Sequence, residues 1–133
     1  MILAAFLLSA VQPAAAPAAE IQSDIVVLGG KLKKFKTRVW SEGETMRCRT
    51  VKSTGDAELD AIGCTSASTC MSEVRPRLVA SADRKLPAAE RKRLRNVVGQ
   101  AWYDCTMARR DSLIADLAER RWQARQGVSD AAN

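Results

Sequence analysis

Residues 31–50, "KLKKFKTRVWSEGETMRCRT", decide how this chain is read. Phe35, Thr37 and Val39 fall on one face of an alternating run, with Lys34, Lys36, Arg38 and Trp40 on the other. "SEGE" at 41–44 supplies the glycine of a turn. The returning run puts Met46, Cys48 and Thr50 on one face and Thr45, Arg47, Arg49 and Val51 on the other. Period-two alternation about a Gly-containing turn is the pattern of an antiparallel β-hairpin. One face carries apolar residues and Cys48, so it packs on something. The other gathers Lys34, Lys36, Arg38, Arg47 and Arg49 around Trp40.

Downstream the period lengthens. In residues 52–74, Leu59, Ile62, Gly63, Ser66, Ala67, Cys70, Met71 and Val74 recur at three and four, which is one helical face. Ser53 or Thr54 is placed to cap this helix, and Asp56, Glu58 and Asp60 suit its positive first turn. Pro76 is expected to end or kink it. Pro87 opens a second helix, where its missing N–H costs nothing. Its stripe is Leu94, Val97, Val98, Ala101, Trp102, Cys105 and Ala108, continuing through Leu113, Ile114, Leu117, Ala118 and Trp122. Either one helix runs to about Arg125, or the chain breaks near Asp111 and Ser112 and starts a third. The fold class is therefore α+β: an N-terminal β-hairpin packed on two or three helices.

Upstream, "ILAAFLLSAV" at 2–11 is an apolar run followed by the small, breaker-rich "QPAAAPAAE". That order is the pattern of a secretory signal peptide over residues 1–19, cut near Ala18 or Ala19. The apolar run falls short of the ~20 residues that span a bilayer, so no transmembrane segment is expected in the mature chain. Every charged residue lies from Glu20 onward, so the net charge of +6 belongs to the exported part. Residues 20–126 form one small domain, and "GVSDAAN" at 127–133 reads as a disordered tail. "SDIVVLGG" at 23–30 reads as a short strand or extended arm ended by two glycines.

Four cysteines, Cys48, Cys64, Cys70 and Cys105, make an even set in an exported chain, hence two disulfides. Metal binding fits poorly. The chain has no histidine, and gaps of 16, 6 and 35 between successive cysteines are unlike the close pairs of zinc sites. Three connectivities exist. The layout favours Cys48–Cys64 and Cys70–Cys105, because each then joins two separate elements.

"DIVVLGGKLKKFK" followed by "CRTVKSTGDAELDAIGC" and a nearby cysteine resembles small, uncharacterised exported proteins of Gram-negative bacteria, over roughly residues 24–105. The resemblance implies export and a cysteine framework, and no activity or ligand. "DIVVLGG" also resembles the TonB box of outer-membrane receptors, a short segment that adds as a strand to a partner's sheet, with Leu28 where Thr is common.

Catalytic chemistry has little to stand on. Without histidine, Ser-His-Asp and Cys-His arrangements are excluded. Asp56, Glu58 and Asp60 are explained by a helix N-terminus. "VLGGK" lacks the spacing of a phosphate-binding loop, so neither a nucleotide nor any other cofactor is expected. The function expected is that of a small exported, non-catalytic accessory protein. It binds an anionic envelope component, lipid, lipopolysaccharide or polysaccharide, through Lys34, Lys36, Arg38, Trp40, Arg47 and Arg49. The alternatives are a protein-interaction module, docking an envelope protein by its first strand or C-terminal helix, and an enzyme whose polar pocket the sequence does not advertise.

Overall fold

The computed structural model describes residues 16–132, so all but the last four residues of the predicted leader lie outside it. Three helices and one two-stranded sheet follow in the order α1 (Ala16–Leu32), β1 (Lys36–Glu42), β2 (Thr45–Lys52), α2 (Ala57–Ala80) and α3 (Ala88–Ala131). The class is α+β. The hairpin is the second unit of the described chain rather than the first, because a helix precedes it.

That helix is a correction. Residues 23–30 are helical, not extended. The β-branched Ile25, Val26 and Val27 suggest a strand, but Ile21, Ile25, Leu28 and Leu32 share one helical face. Leu28 and Leu32 are buried against Leu59 of α2 and Ile114, Leu117 and Ala118 of α3, with Ile21, Ile25, Phe35 and Ile62 packed around them. Burying four aliphatic side chains outweighs the few tenths of a kcal/mol per residue that separate β-branched residues from better helix formers. The TonB-box and first-strand readings need an extended segment, and here that segment's backbone hydrogen bonds are internal to α1. Two side chains of α3 tie α1 down at its start: the Trp122 indole donates to Glu20 at 2.8 Å and Arg125 pairs with Asp24 at 2.6 Å.

The hairpin has the expected faces and turn. Thr37 lies opposite Thr50, Arg38 opposite Arg49, Val39 opposite Cys48, Trp40 opposite Arg47 and Ser41 opposite Met46. Gly43 takes a φ of 63° at the first position of the two-residue loop, where a II′ turn needs glycine. Thr37, Val39, Met46, Cys48 and Thr50 are half-buried against α2, while their strand neighbours are exposed. A bulge between Lys36 and Thr37 takes up Val51, and Lys36 then faces Lys52.

Both disulfides have the expected connectivity. Cys48–Cys64 fixes the inner face of the hairpin to α2, and Cys70–Cys105 fixes α2 to α3, with Cα separations of 5.7 and 5.8 Å. The Thr37 hydroxyl donates to the Arg49 carbonyl at 3.0 Å and lies against both sulfurs of the first bridge.

α2 buries Leu59, Gly63, Ser66, Ala67, Cys70 and Val74, the face expected from the sequence. Its cap is Asp56 rather than Ser53 or Thr54, accepting from the Leu59 amide at 3.2 Å; the Ser53 and Thr54 hydroxyls hold Asp60 instead. Nor does Pro76 stop the helix, which runs four residues further to Ala80. Pro76 and Ser72, whose carbonyl loses its helical donor, are both exposed, so the vacated acceptor is open to solvent.

α3 is one unbroken helix of 44 residues, about 66 Å at 1.5 Å per residue. Asp111 and Ser112 do not interrupt it. The length is supported in sections. Cys105 and Trp102, whose indole donates to the Ala67 carbonyl at 3.0 Å, bind it to α2. Ile114, Leu117 and Ala118 bind it to the core, and it continues as exposed helix through residues 127–131, where the sequence pattern predicts a disordered tail.

Candidate functional site

The outer face of the hairpin carries the sequence-predicted site. Arg38 and Arg49 stand directly opposite each other, as do Lys36 and Lys52. Directly opposed residues in an antiparallel pair lie ~4.5–5.5 Å apart at Cβ, where like charges destabilise. None of these four cations has a carboxylate within ion-pair distance among the described residues. Arg38, Arg49 and Trp40 line a shallow depression of about 370 Å³.

Trp40, 41% exposed, also lines a second depression with Val39, Met46, Met71, Leu78 and Val79. Leu78 and Val79 are 38% and 66% exposed, so apolar side chains lie beside the cations. The second depression was not foreseen. Its signal was present in the sequence, since Leu78 and Val79 follow the expected helix stop at Pro76. Once the helix continues they come up beside the hairpin, and Arg75 secures the junction by donating to the Gly43 carbonyl at 2.9 Å.

Not every predicted residue shares this state. Arg47 pairs with Glu42 across the turn at 2.7 Å, so its charge is locally balanced. Lys34 lies in the link between α1 and β1. With Lys31, Lys52, Ser53 and Thr54 it lines a separate hollow of about 350 Å³. The uncompensated hairpin cluster is therefore Lys36, Arg38, Arg49 and Lys52, with Lys34 to one side and Arg47 neutralised.

The carboxylates read as helix-terminus partners do that work and more. Asp56 is engaged by both terminal nitrogens of Arg121, at 2.7 and 3.0 Å, and Glu58 takes a third bond from Arg121 at 2.7 Å. The Arg121 hydrogen bonds hold the Asp56 carboxyl down at about 2 and the Glu58 carboxyl below its ordinary value, and raise the Arg121 guanidinium. These groups are ion-paired to each other, which leaves no free acid or base among them. Among the described residues, one cluster has metal-like spacing: Cys70, Glu73 and Cys105. Its two sulfurs are bonded to each other, and Glu73 is paired with Arg109 at 2.9 Å. No described helix is long and apolar enough to cross a membrane.

Comparison with family models, curated proteins and solved structures finds no match to this chain.

Proposed function

We propose that this is an exported, non-catalytic accessory protein that binds an anionic envelope component through the outer face of its β-hairpin. The observation that carries the reading is the pair of opposed, uncompensated cation pairs, Lys36 with Lys52 and Arg38 with Arg49, flanking Trp40. Directly opposed like charges cost the hairpin some stability, and an anion bound across them would relieve that cost. Several positive charges on one low-dielectric face produce a local potential of several kT. Exposed Leu78 and Val79 beside Trp40 favour an amphiphilic surface, lipid or lipopolysaccharide, over a wholly polar polysaccharide. Two disulfides accord with an oxidising compartment, the periplasm or the exterior.

The test is cosedimentation with vesicles of zwitterionic lipid, with and without anionic phospholipid. Each juxtamembrane basic residue contributes about 1 kcal/mol toward an anionic surface, so replacing Arg38 and Arg49 by Glu is expected to abolish binding. The wild type is expected to bind the anionic vesicles alone and to release them as salt rises toward 0.5 M, a strongly screening concentration of about 4 Å Debye length. Equal binding to both vesicle types, or retention at high salt, counts against the proposal.

A further inference from the structure

A further hollow is lined by α1, α3 and the link between α1 and β1, and shares no residue with the cationic outer face of the hairpin. It runs between α1 and α3, has a volume of about 530 Å³, and is lined by Ile25, Leu32, Phe35, Met107 and Ile114, with Val26 and Tyr103 at an exposed mouth. A smaller hollow of about 160 Å³ shares Phe35, Tyr103, Met107 and Arg110 with it and reaches toward Trp102 and Thr106. The larger one falls within the ~300–1,000 Å³ of small-molecule sites, which are mostly apolar with a few placed polar groups.

Arg110 is the charged group common to both. One terminal nitrogen donates to the Leu32 carbonyl at the end of α1 at 3.0 Å, and the other lies 3.7 Å from the Met107 sulfur. Among the described residues its Nε is buried with no partner, and no carboxylate lies within ion-pair distance of it. Burial disfavours its charge, lowering the guanidinium from its ordinary value. Thr106 Oγ1, in the smaller hollow, is likewise buried without a partner. Buried donors left unpaired are rare in folded proteins and call for an explanation.

α1 supplies a further sign. Gly29 and Gly30 lie in its last turn, where glycine weakens a helix relative to alanine. A Cβ on either would meet nothing within 4 Å, so packing does not require them. Both line the larger hollow, and a side chain at either would narrow it.

We infer that this hollow binds a single-tailed carboxylate amphiphile, its head on Arg110 and its alkyl tail along Ile25, Leu32, Phe35 and Ile114. A guanidinium presents paired N–H groups to a carboxylate, and a charge-assisted bond would satisfy the buried Nε. The charge count selects a single negative charge. Arg110 and Lys33 line the hollow with Asp111, so a doubly charged head would face a carboxylate as well as the cations.

Calorimetric titration of the oxidised protein with decanoate, below its micelle concentration, tests the assignment, with decanol as the uncharged control. Saturable one-to-one binding is expected, about tenfold or more tighter for decanoate than for decanol, the size of one charge-assisted hydrogen bond. R110Q is expected to erase that preference. G29L keeps the fold, since the space at Gly29 is open, and is expected to weaken decanoate at least about tenfold by filling the hollow. Replacing Arg38 and Arg49 by Glu is expected to leave decanoate binding unchanged, which separates this site from the hairpin. Absence of saturable binding, equal affinity for decanol, or undiminished binding by G29L overturns the inference. If R110Q fails to fold, the decanol and G29L results decide.

Discussion

Replacing Asp56 by Asn perturbs one carboxylate on which two parts of the fold depend. Its side chain caps α2 and receives both terminal nitrogens of Arg121 from α3, 65 residues away in sequence. Its side chain is only 14% exposed, so solvent screens the pair weakly. The Arg121 hydrogen bonds lower its carboxyl from the ordinary 3.8 to about 2. At 1.36 kcal/mol per pKa unit, that is about 2 kcal/mol of folding stability. The sign follows from the depressed value: the contribution is complete above about pH 5 and is lost as pH falls through about 2. Asn keeps a side-chain oxygen for the cap but carries no charge. Urea denaturation at pH 7, 4 and 2.5 reads the effect. D56N is expected to be about 2 kcal/mol less stable than wild type at pH 7, and the gap is expected to close toward pH 2. Glu58, Asp60 and Glu90 are also lowered by their hydrogen-bond partners and tilt both curves, so the difference between the curves is what counts. A gap that stays constant with pH refutes the reasoning, because it assigns the loss to packing or capping rather than to the Arg121 pair.

Gly63 passes directly beneath the Phe35 ring, and a Cβ there would fall 2.7 Å from Cδ1 and 2.9 Å from Cζ. G63A is therefore expected to cost about 1–3 kcal/mol by overpacking, read as a lowered urea midpoint with an unchanged slope. P76A restores an exposed helical hydrogen bond in α2 and is expected to stabilise by about 2 kcal/mol, most of the ~3 that an interior proline costs, less the entropy it removes from the unfolded chain. Opening Cys70–Cys105 by double replacement with Ser is expected to cost about 4 kcal/mol and opening Cys48–Cys64 about 3, since the first closes the longer loop; thermal melts of the two variants rank them.

The hairpin was legible because two independent signals agree on it: strict alternation over Phe35–Val39 and Met46–Thr50, and a glycine where the turn needs a positive φ. The inner face of α2 was legible for the same reason, its small residues recurring with the helical period. The pairing of the cysteines followed from that layering. What escaped was set by partners distant in sequence. Ile25–Val27 looked like strand until Ile114, Leu117 and Ala118 offered their helical face something to cover. Pro76 was expected to end or kink the helix, and that it does not end it depends on solvent reaching the vacated carbonyl, a property of where α2 lies and not of its residues. Arg47 looked equivalent to Arg49, and only the turn geometry brings Glu42 to the first, while among the described residues no carboxylate pairs with the second. Arg110 was hidden among charged neighbours, since no local pattern marks a half-buried cation whose Nε finds no partner.

Two disulfides make an oxidised frame in which the cationic hairpin is held to α2 and α2 to α3. Peptide mapping of the native protein under non-reducing conditions, with alkylation before digestion, tests it most directly. Two cross-linked peptide pairs are predicted, one joining Cys48 to Cys64 and the other Cys70 to Cys105, with no cysteine alkylated. Four alkylated thiols, or a link between Cys64 and Cys70, would contradict it.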